Sequence, residues 1–169
     1  MSAAPYDFNF APMKAFAKDI LSPIKQSLFL LTKLPAAWFM GFRVTKLTAE
    51  VCEVTQPYSW FSKNPFNSVY FAAQTAAAEF STGIPLMMAI KGRENISLLV
   101  VSVNGEFHKK ADKKIIFRCT DLPYIFEKVQ AAIDTGEAQT LTLNSIGTMS
   151  DGTIVSKMTL VWSIKKRKK

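Results

Sequence analysis

From Asn64 to Ile90 the chain carries a single charged side chain, Glu79, in a run of otherwise small, apolar or neutral residues. The first part of this run, KNPFNSVYFAAQTAAAEFSTG from Lys63 to Gly83, reads as a loop and then a helix. The helix is expected over roughly 68–81, with Gly83 at its end and Pro85 just beyond. A helix that is apolar nearly all round offers no face to water, so most of its sides must be covered. That requirement limits the fold more than any other feature, and a curved antiparallel sheet wrapped around the helix meets it economically.

The flanking pattern supplies such a sheet. Met13, Phe16, Ile20, Ile24, Leu28 and Leu31 recur at helical spacing, and Pro23 divides them into two helices. Pro35 opens a short helical turn through Trp38 that Gly41 ends. Phe42 to Thr55 alternates as two antiparallel strands joined near Ala49-Glu50. Ile96 to His108 reads as a long strand, and Lys113 to Thr120 as its antiparallel return. Ile125, Val129 and Ile133 mark a helix from Leu122 to Thr135 that Gly136 stops. Two last strands, Ala138 to Met149 and Thr153 to Ile164, meet at Ser150-Asp151-Gly152, where Asp-Gly suits the positive φ of a hairpin turn.

The sum is an α+β hot-dog arrangement, a curved antiparallel sheet around a central helix with extra N-terminal helices. The expected organisation is an arm and helices over 1–33, the hot-dog domain over 34–164 and a basic tail over 165–169. A length of 169 residues with 49% hydrophobic content suits one domain with a sizeable core.

Charge and cysteine usage exclude several classes. The last five residues are all cationic and account for five of the formal +8, so the body is only mildly basic. The tail reads as a solvated terminus, with contact to anionic lipid or phosphate as the alternative. No recognisable nucleic-acid module is present, and no nucleic acid is expected as a partner. Cys52 and Cys119 read as reduced core residues, not a disulfide framework. One histidine, His108, in basic surroundings cannot build a zinc site, so no metal is expected. The polar start lacks a signal peptide, and the apolar stretch from Ser27 to Gly41 is too short to span a bilayer. A cytoplasmic location and no transmembrane segment follow as expectations.

The lone acid concentrates the chemistry. Helical spacing puts Ser68, Ala72, Thr75, Ala76, Glu79 and Gly83 along one face, with Val69, Ala73 and Phe80 on a neighbouring apolar strip. A carboxylate in such a setting must meet a donor, water or a ligand, or its pKa must rise. Three roles stay open: a structural acid bonded to a backbone N–H, a hydroxyl or a cation across a subunit contact; a general base or nucleophile; and part of a ligand site without turnover. The residues Ser68-Val69-Tyr70-Phe71 at the expected start of the helix offer backbone N–H groups to a developing oxyanion. Asn64 could orient a water or a carbonyl, or could simply start a turn before Pro65. Trp38, Phe39, Phe42, Tyr58, Trp60, Phe61 and Phe66 suit, as a group, the wall of an acyl-chain tunnel, and singly core or interface.

Taken together, LPAAWFMGFRVTKLTAEVCEV and NPFNSVYFAAQTAAAEFSTG resemble the small hot-dog thioesterases, and most of all their uncharacterised thioesterase-like branch, over roughly Leu34 to Ile164. In that family a loop Asn precedes a helix that opens on His-Gly-Gly or a related small-residue stretch, and an acid follows about two turns later. Asn64 matches the loop Asn, Tyr70 falls where many members have His, Phe71-Ala72 fall where they have Gly-Gly, and Glu79 matches the acid. The resemblance implies hydrolysis of an acyl thioester, on coenzyme A or an acyl carrier, with Glu79 and Asn64 as catalytic residues. Ser68, Tyr70, Phe71, Ala72 and Thr75 would bind the substrate or its oxyanion. It implies edge-to-edge homodimers, with a tetramer as the alternative, and a pocket between subunits. No cofactor is implied beyond coenzyme A as part of the substrate. Lys63, Lys91 and Arg93 are candidate contacts for its phosphates, as are Lys109 and Lys110. The rival expectation is a non-catalytic binder of a fatty acyl chain in the same tunnel.

Overall fold

The computed structural model describes residues 9–93 and 95–167. The first eight residues of the expected arm and the last two lysines lie outside the described residues. Pro12 and Pro23 sit at the starts of α1 (Ala11–Leu21) and α2 (Pro23–Lys33), where a missing N–H costs nothing. Pro35 does the same for α3 (Pro35–Phe39), and Gly41, at φ 77°, turns the chain into β1 (Arg43–Leu47). β2 (Cys52–Gln56) returns antiparallel to β1.

The central helix, α4 (Phe71–Ala89), is longer than its residues suggest and starts later. Gly83 and Pro85, expected at and after its end, lie inside it. Their local cost is about 1 and 3 kcal/mol. The run they interrupt is buried, however: Ile84, Leu86, Met88 and Ala89 are all inaccessible to solvent. Each buried large side chain returns about 1.5–3 kcal/mol, enough to outweigh both breakers. The chain leaves the helix at Lys91-Gly92, with Gly92 at φ 70°.

β3 (Ile96–Phe107) and β4 (Ile115–Cys119) form as expected but do not pair with each other. The six-stranded antiparallel sheet has the order β1-β2-β4-β5-β6-β3. After β3 the chain crosses to the far side of the sheet, where β4 lies between β2 and β5. His108 therefore starts a crossing loop instead of closing a hairpin, and its Nε2 lies 3.5 Å from exposed Glu106. α5 (Leu122–Thr135) follows β4 and ends at Gly136, at φ 72°. β5 (Gln139–Met149) and β6 (Ile154–Lys166) make the expected hairpin. Only Gly152 of its turn takes positive φ; Asp151 instead accepts the Thr153 N–H at 3.1 Å. β6 runs through Lys166, so Lys165 and Lys166 belong to the sheet, opposite Ser97 and Ile96, and not to a frayed tail.

The concave face of the sheet holds α4, which packs on β2, β4, β5, β6 and α5. This is the hot-dog arrangement. Leu143, Leu160, Phe117, Ile115 and Ile125 fill the space between sheet and helices. Cys52 and Cys119 face each other across β2 and β4 as buried free thiols, and burial pushes the Cys119 thiol up to about 12. At the outer edge α1 and α2 join the same core through Met13, Ile20 and Leu30. Among the described residues, no helix is long and apolar enough to cross a membrane.

Candidate functional site

Beyond the first residue of α4, the only positions not buried are Ala72, Thr75, Ala76, Glu79 and Met87. Ala72, Thr75, Ala76 and Glu79 recur every three or four residues and so form one stripe, with Met87 about two turns further on. Most of this is the small-residue face expected from spacing; Gly83 belongs to it too but is buried beneath its neighbours. The helix thus shows water a narrow strip of small side chains with one carboxylate in it.

Gly83 makes room for that carboxylate. A Cβ at position 83 would meet Glu79 Oε1 at 3.2 Å and the Trp162 ring at 3.3 Å, so acid and indole converge over the glycine. The indole N–H does not serve the acid. Trp162 Nε1 donates to Thr82 Oγ1 at 3.1 Å, and Thr82 donates on to the Glu79 backbone carbonyl at 2.9 Å. Ser81 and Ser145 share a buried 2.7 Å hydrogen bond that ties the same turn of α4 to β5. These contacts anchor the helix while the Glu79 carboxylate meets no donor and no cation among the described residues. Burial pushes its pKa above the ordinary carboxylate range, with desolvation as the cause.

The start of α4 is open as well. Tyr70 occupies the capping position and gives no side-chain cap, so the first-turn N–H groups of Phe71, Ala72 and Ala73 have no cap among the described residues. Tyr70 and Phe71 are exposed and stack edge-to-face at 4.8 Å, and Phe71 in turn meets Phe107 of β3 at 6.2 Å. Thr75 Oγ1 bonds back to the Phe71 carbonyl at 3.0 Å. Ser68 precedes the helix instead of starting it.

Asn64 builds the loop. Its Oδ1 accepts from Phe66 N at 3.0 Å, Ser68 N at 3.2 Å and Ser68 Oγ at 3.1 Å. Its backbone closes the same turn, in which Asn67 takes φ 55°. The carboxamide oxygen is fully used in folding; only its Nδ2 is left to reach outward. The three candidate phosphate contacts do not converge. Lys63 lies before α4, whereas Lys91 and Arg93 follow its far end, about 27 Å away at 1.5 Å per residue. Lys91 sits over the Phe16 ring at 5.5 Å, and Arg93 over Phe10 at 5.3 Å with a bond to Gln130.

Of the seven aromatics, only Phe42 is buried. Trp38, Phe39, Tyr58, Trp60, Phe61 and Phe66 are exposed and line no interior tunnel within one chain. Gln74, which the sequence reading passed over, lies buried in the second turn of α4. Its Nε2 donates to the Val69 carbonyl at 3.1 Å and its Oε1 has no partner. Its polarity within an apolar helix was the signal that could have found it. Trp162 carried no such signal, because its place beside Glu79 comes from the packing of β6 against α4, whereas Thr82 sits beside Glu79 simply by being three residues on along the helix.

The fold recurs among solved structures of low sequence identity. A Chlorobaculum tepidum protein of unknown function superimposes with a TM-score of 0.72 at 15% identity, over 87% of this chain and 98% of its own. A Haemophilus influenzae thioesterase gives 0.61 at 14% identity, over 82% and 88%. A thioesterase-family protein from Silicibacter pomeroyi gives 0.63 at 14% identity, over 90% and 99%. No curated protein matches the sequence. The sequence model described as "Domain of unknown function (DUF4442)" matches residues 25–164, and the chain belongs to that family.

Proposed function

We propose that the protein hydrolyses an acyl thioester, carried on coenzyme A or on an acyl carrier, at a seam between two copies of the chain. One observation carries the reading: Glu79 is a partly buried carboxylate with no donor or cation among the described residues, set in the only unburied stripe of an otherwise sealed helix. A structural acid would have a partner, and a solvated one would not have its pKa pushed upward by burial. The thioesterase names of several structural neighbours agree with the reading.

Within one helix Ala72 and Glu79 are about 10 Å apart along the axis, too far to act on one carbonyl carbon. Pairing of two β3 edges about a two-fold axis runs two α4 helices antiparallel and brings the start of one beside the middle of the other. Glu79 of one copy then faces the unclaimed N–H groups at Phe71 and Ala72 of its partner. The thioester carbonyl oxygen sits on those donors, each worth about 3–4 kcal/mol in the transition state. Glu79 takes a proton from water, the water oxygen adds to the carbonyl carbon, the C–S bond breaks, and the proton passes to the departing thiolate. Asn64 Nδ2 and Lys63 remain on the same side of the helix to hold the water and the carrier's phosphates.

The test is a chain-length panel of acyl-coenzyme A substrates with the wild type and Glu79→Gln. Turnover that falls at least 100-fold in the variant, with its fold intact by circular dichroism, supports the reading; equal turnover in both overturns it. A single turnover in ¹⁸O-water separates general base from nucleophile, since only the latter leaves label in Glu79. Tyr70 and Phe71, standing where the thioesterase family has His and Gly, favour a second reading: an acyl binder without turnover. Retention of an acyl ligand by a wild type that hydrolyses none of the panel would decide for it.

A further inference from the structure

The N-terminal helices present an apolar surface that neither the core nor the proposed seam uses. On α2, Ile24 is 81% exposed and Leu28 62%, and Leu31 follows one turn later. At 100° per residue these three lie within one narrow sector, opposite Gln26 and Leu30, which face the core. α2 is therefore apolar on both sides, and its outer stripe has no partner among the described residues. A shallow groove runs along it, lined by Pro23, Ile24, Leu28, Leu31 and Arg43.

The stripe continues into aromatics. Trp38 Nε1 donates to Ser27 Oγ at 2.9 Å and so fixes α3 beside α2. From Trp38 the rings run in contact through Phe39 at 5.2 Å and Phe61 at 5.6 Å to Trp60 at 5.1 Å, and Trp60 is 74% exposed. Charge on the patch's own segments is positive, with Asp19, Glu50 and Glu53 at their borders and Glu53 across the ladder from Lys46. Residues 20–49 and 57–78 contain Lys25, Lys33, Arg43, Lys46 and Lys63 and not one carboxylate. Asp19 binds Lys25 at 2.6 Å.

We infer that this α2–α3 face docks the protein on an anionic lipid surface. Exposed Trp and Phe at the water boundary, aliphatic side chains between them and a fringe of Lys and Arg are the composition that lies in a bilayer interface. A second copy of the chain fits less well, because an isologous contact would set this unbalanced positive charge against itself. The patch also lies by β1, where Gln26 Nε2 donates to the Val44 carbonyl, at the opposite edge of the sheet from β3. Membrane docking and β3 pairing are thus compatible. The inference does not depend on the hydrolase reading, and its failure would leave that reading untouched.

Co-sedimentation of the full chain with vesicles of phosphatidylcholine alone, or with 30% phosphatidylserine as an on-the-order-of physiological anionic load, tests it. Binding is expected only to the anionic vesicles, falling as salt rises, with a blue shift of tryptophan emission. The double variant Ile24→Ser, Leu28→Ser keeps every charge, including the C-terminal lysines, and should partition at least tenfold more weakly. Trp60→Ala should weaken binding independently. Unchanged binding in both would assign the attraction to the tail and overturn the inference, as would no binding by the wild type. A wild type that ignores vesicles while the double variant lowers its molar mass in light scattering would make the patch an interface between copies. The double variant should keep its turnover of soluble substrate, which separates lost docking from lost chemistry.

Discussion

The two edges of the sheet are finished in different ways. β1 is five residues long, carries a register shift between Val44 and Lys46, packs against α1, and is tied to α2 by the buried Gln26 amide, which donates to the Val44 and Ile20 carbonyls. β3 is twelve residues long, and nothing among the described residues covers its free edge. Its exposed residues include several apolar ones among Ser102, Asn104 and Glu106: Leu99 is 65% and Val101 58% exposed, and Val103 and Phe107 are also accessible. Long, apolar, uncovered edges pair with other strands unless something blocks them. One edge is closed by the chain's own helix, whereas the other is left as a template. The contrast marks the β3 side, next to the acid stripe of α4, as the edge at which the proposed seam would form.

The comparison can be broken most directly at β3. Val103→Lys sets like charges opposite each other across a two-fold pair; it should convert a dimer to a monomer by light scattering and remove turnover with it. A wild type that is already monomeric would defeat the seam outright. Glu79→Gln should leave the dimer intact and lower kcat/KM by about 10²–10⁴, the usual worth of a general base. Gln26→Ala attacks the other edge. It leaves two buried carbonyls without their donor, at a cost of about 1–3 kcal/mol in denaturant unfolding, with no change in molar mass.

The smallest effect is in pH. Glu79 has a folded-state pKa above its unfolded value, so the native state binds the extra proton between the two. Stability therefore falls as pH rises from the ordinary carboxylate range through the raised value, and Glu79→Gln removes that fall. Melting temperatures of variant and wild type should converge in acid and separate, in favour of the variant, above the window. Turnover should run the other way, rising with pH through the same raised value as the base ionises. Parallel melting curves would mean that the carboxylate is as well solvated in the fold as in the unfolded chain.

Elements with local causes were legible in the sequence. α5 ends at Gly136, and the β5–β6 turn needs Gly152, because positive φ at these points suits glycine alone. The stripe through Ala72, Thr75, Ala76 and Glu79 also followed from spacing, since 3.6 residues per turn leaves no freedom about which side chains share a face. Asn64 shows the limit. Asn before Pro announced a turn, yet whether its carboxamide would serve the loop or a ligand depended on where Ser68 came to rest. The aromatics show it again: side chains rich enough for a tunnel wall ended outside, because α4 was already sealed by the sheet.

The order of apolar and polar residues was enough to require one covered helix, a curved sheet and a solitary acid on the helix's small face, since these depend on helical and strand periods and on the cost of wetting apolar surface. The length of α4 through Gly83 and Pro85, the placing of β3 beside β6, and the meeting of Glu79 with Trp162 over Gly83 were settled only in three dimensions. Each is a contest between a weak local preference and many distant contacts, and the distant contacts win because burial is summed over the whole core while propensity acts one residue at a time.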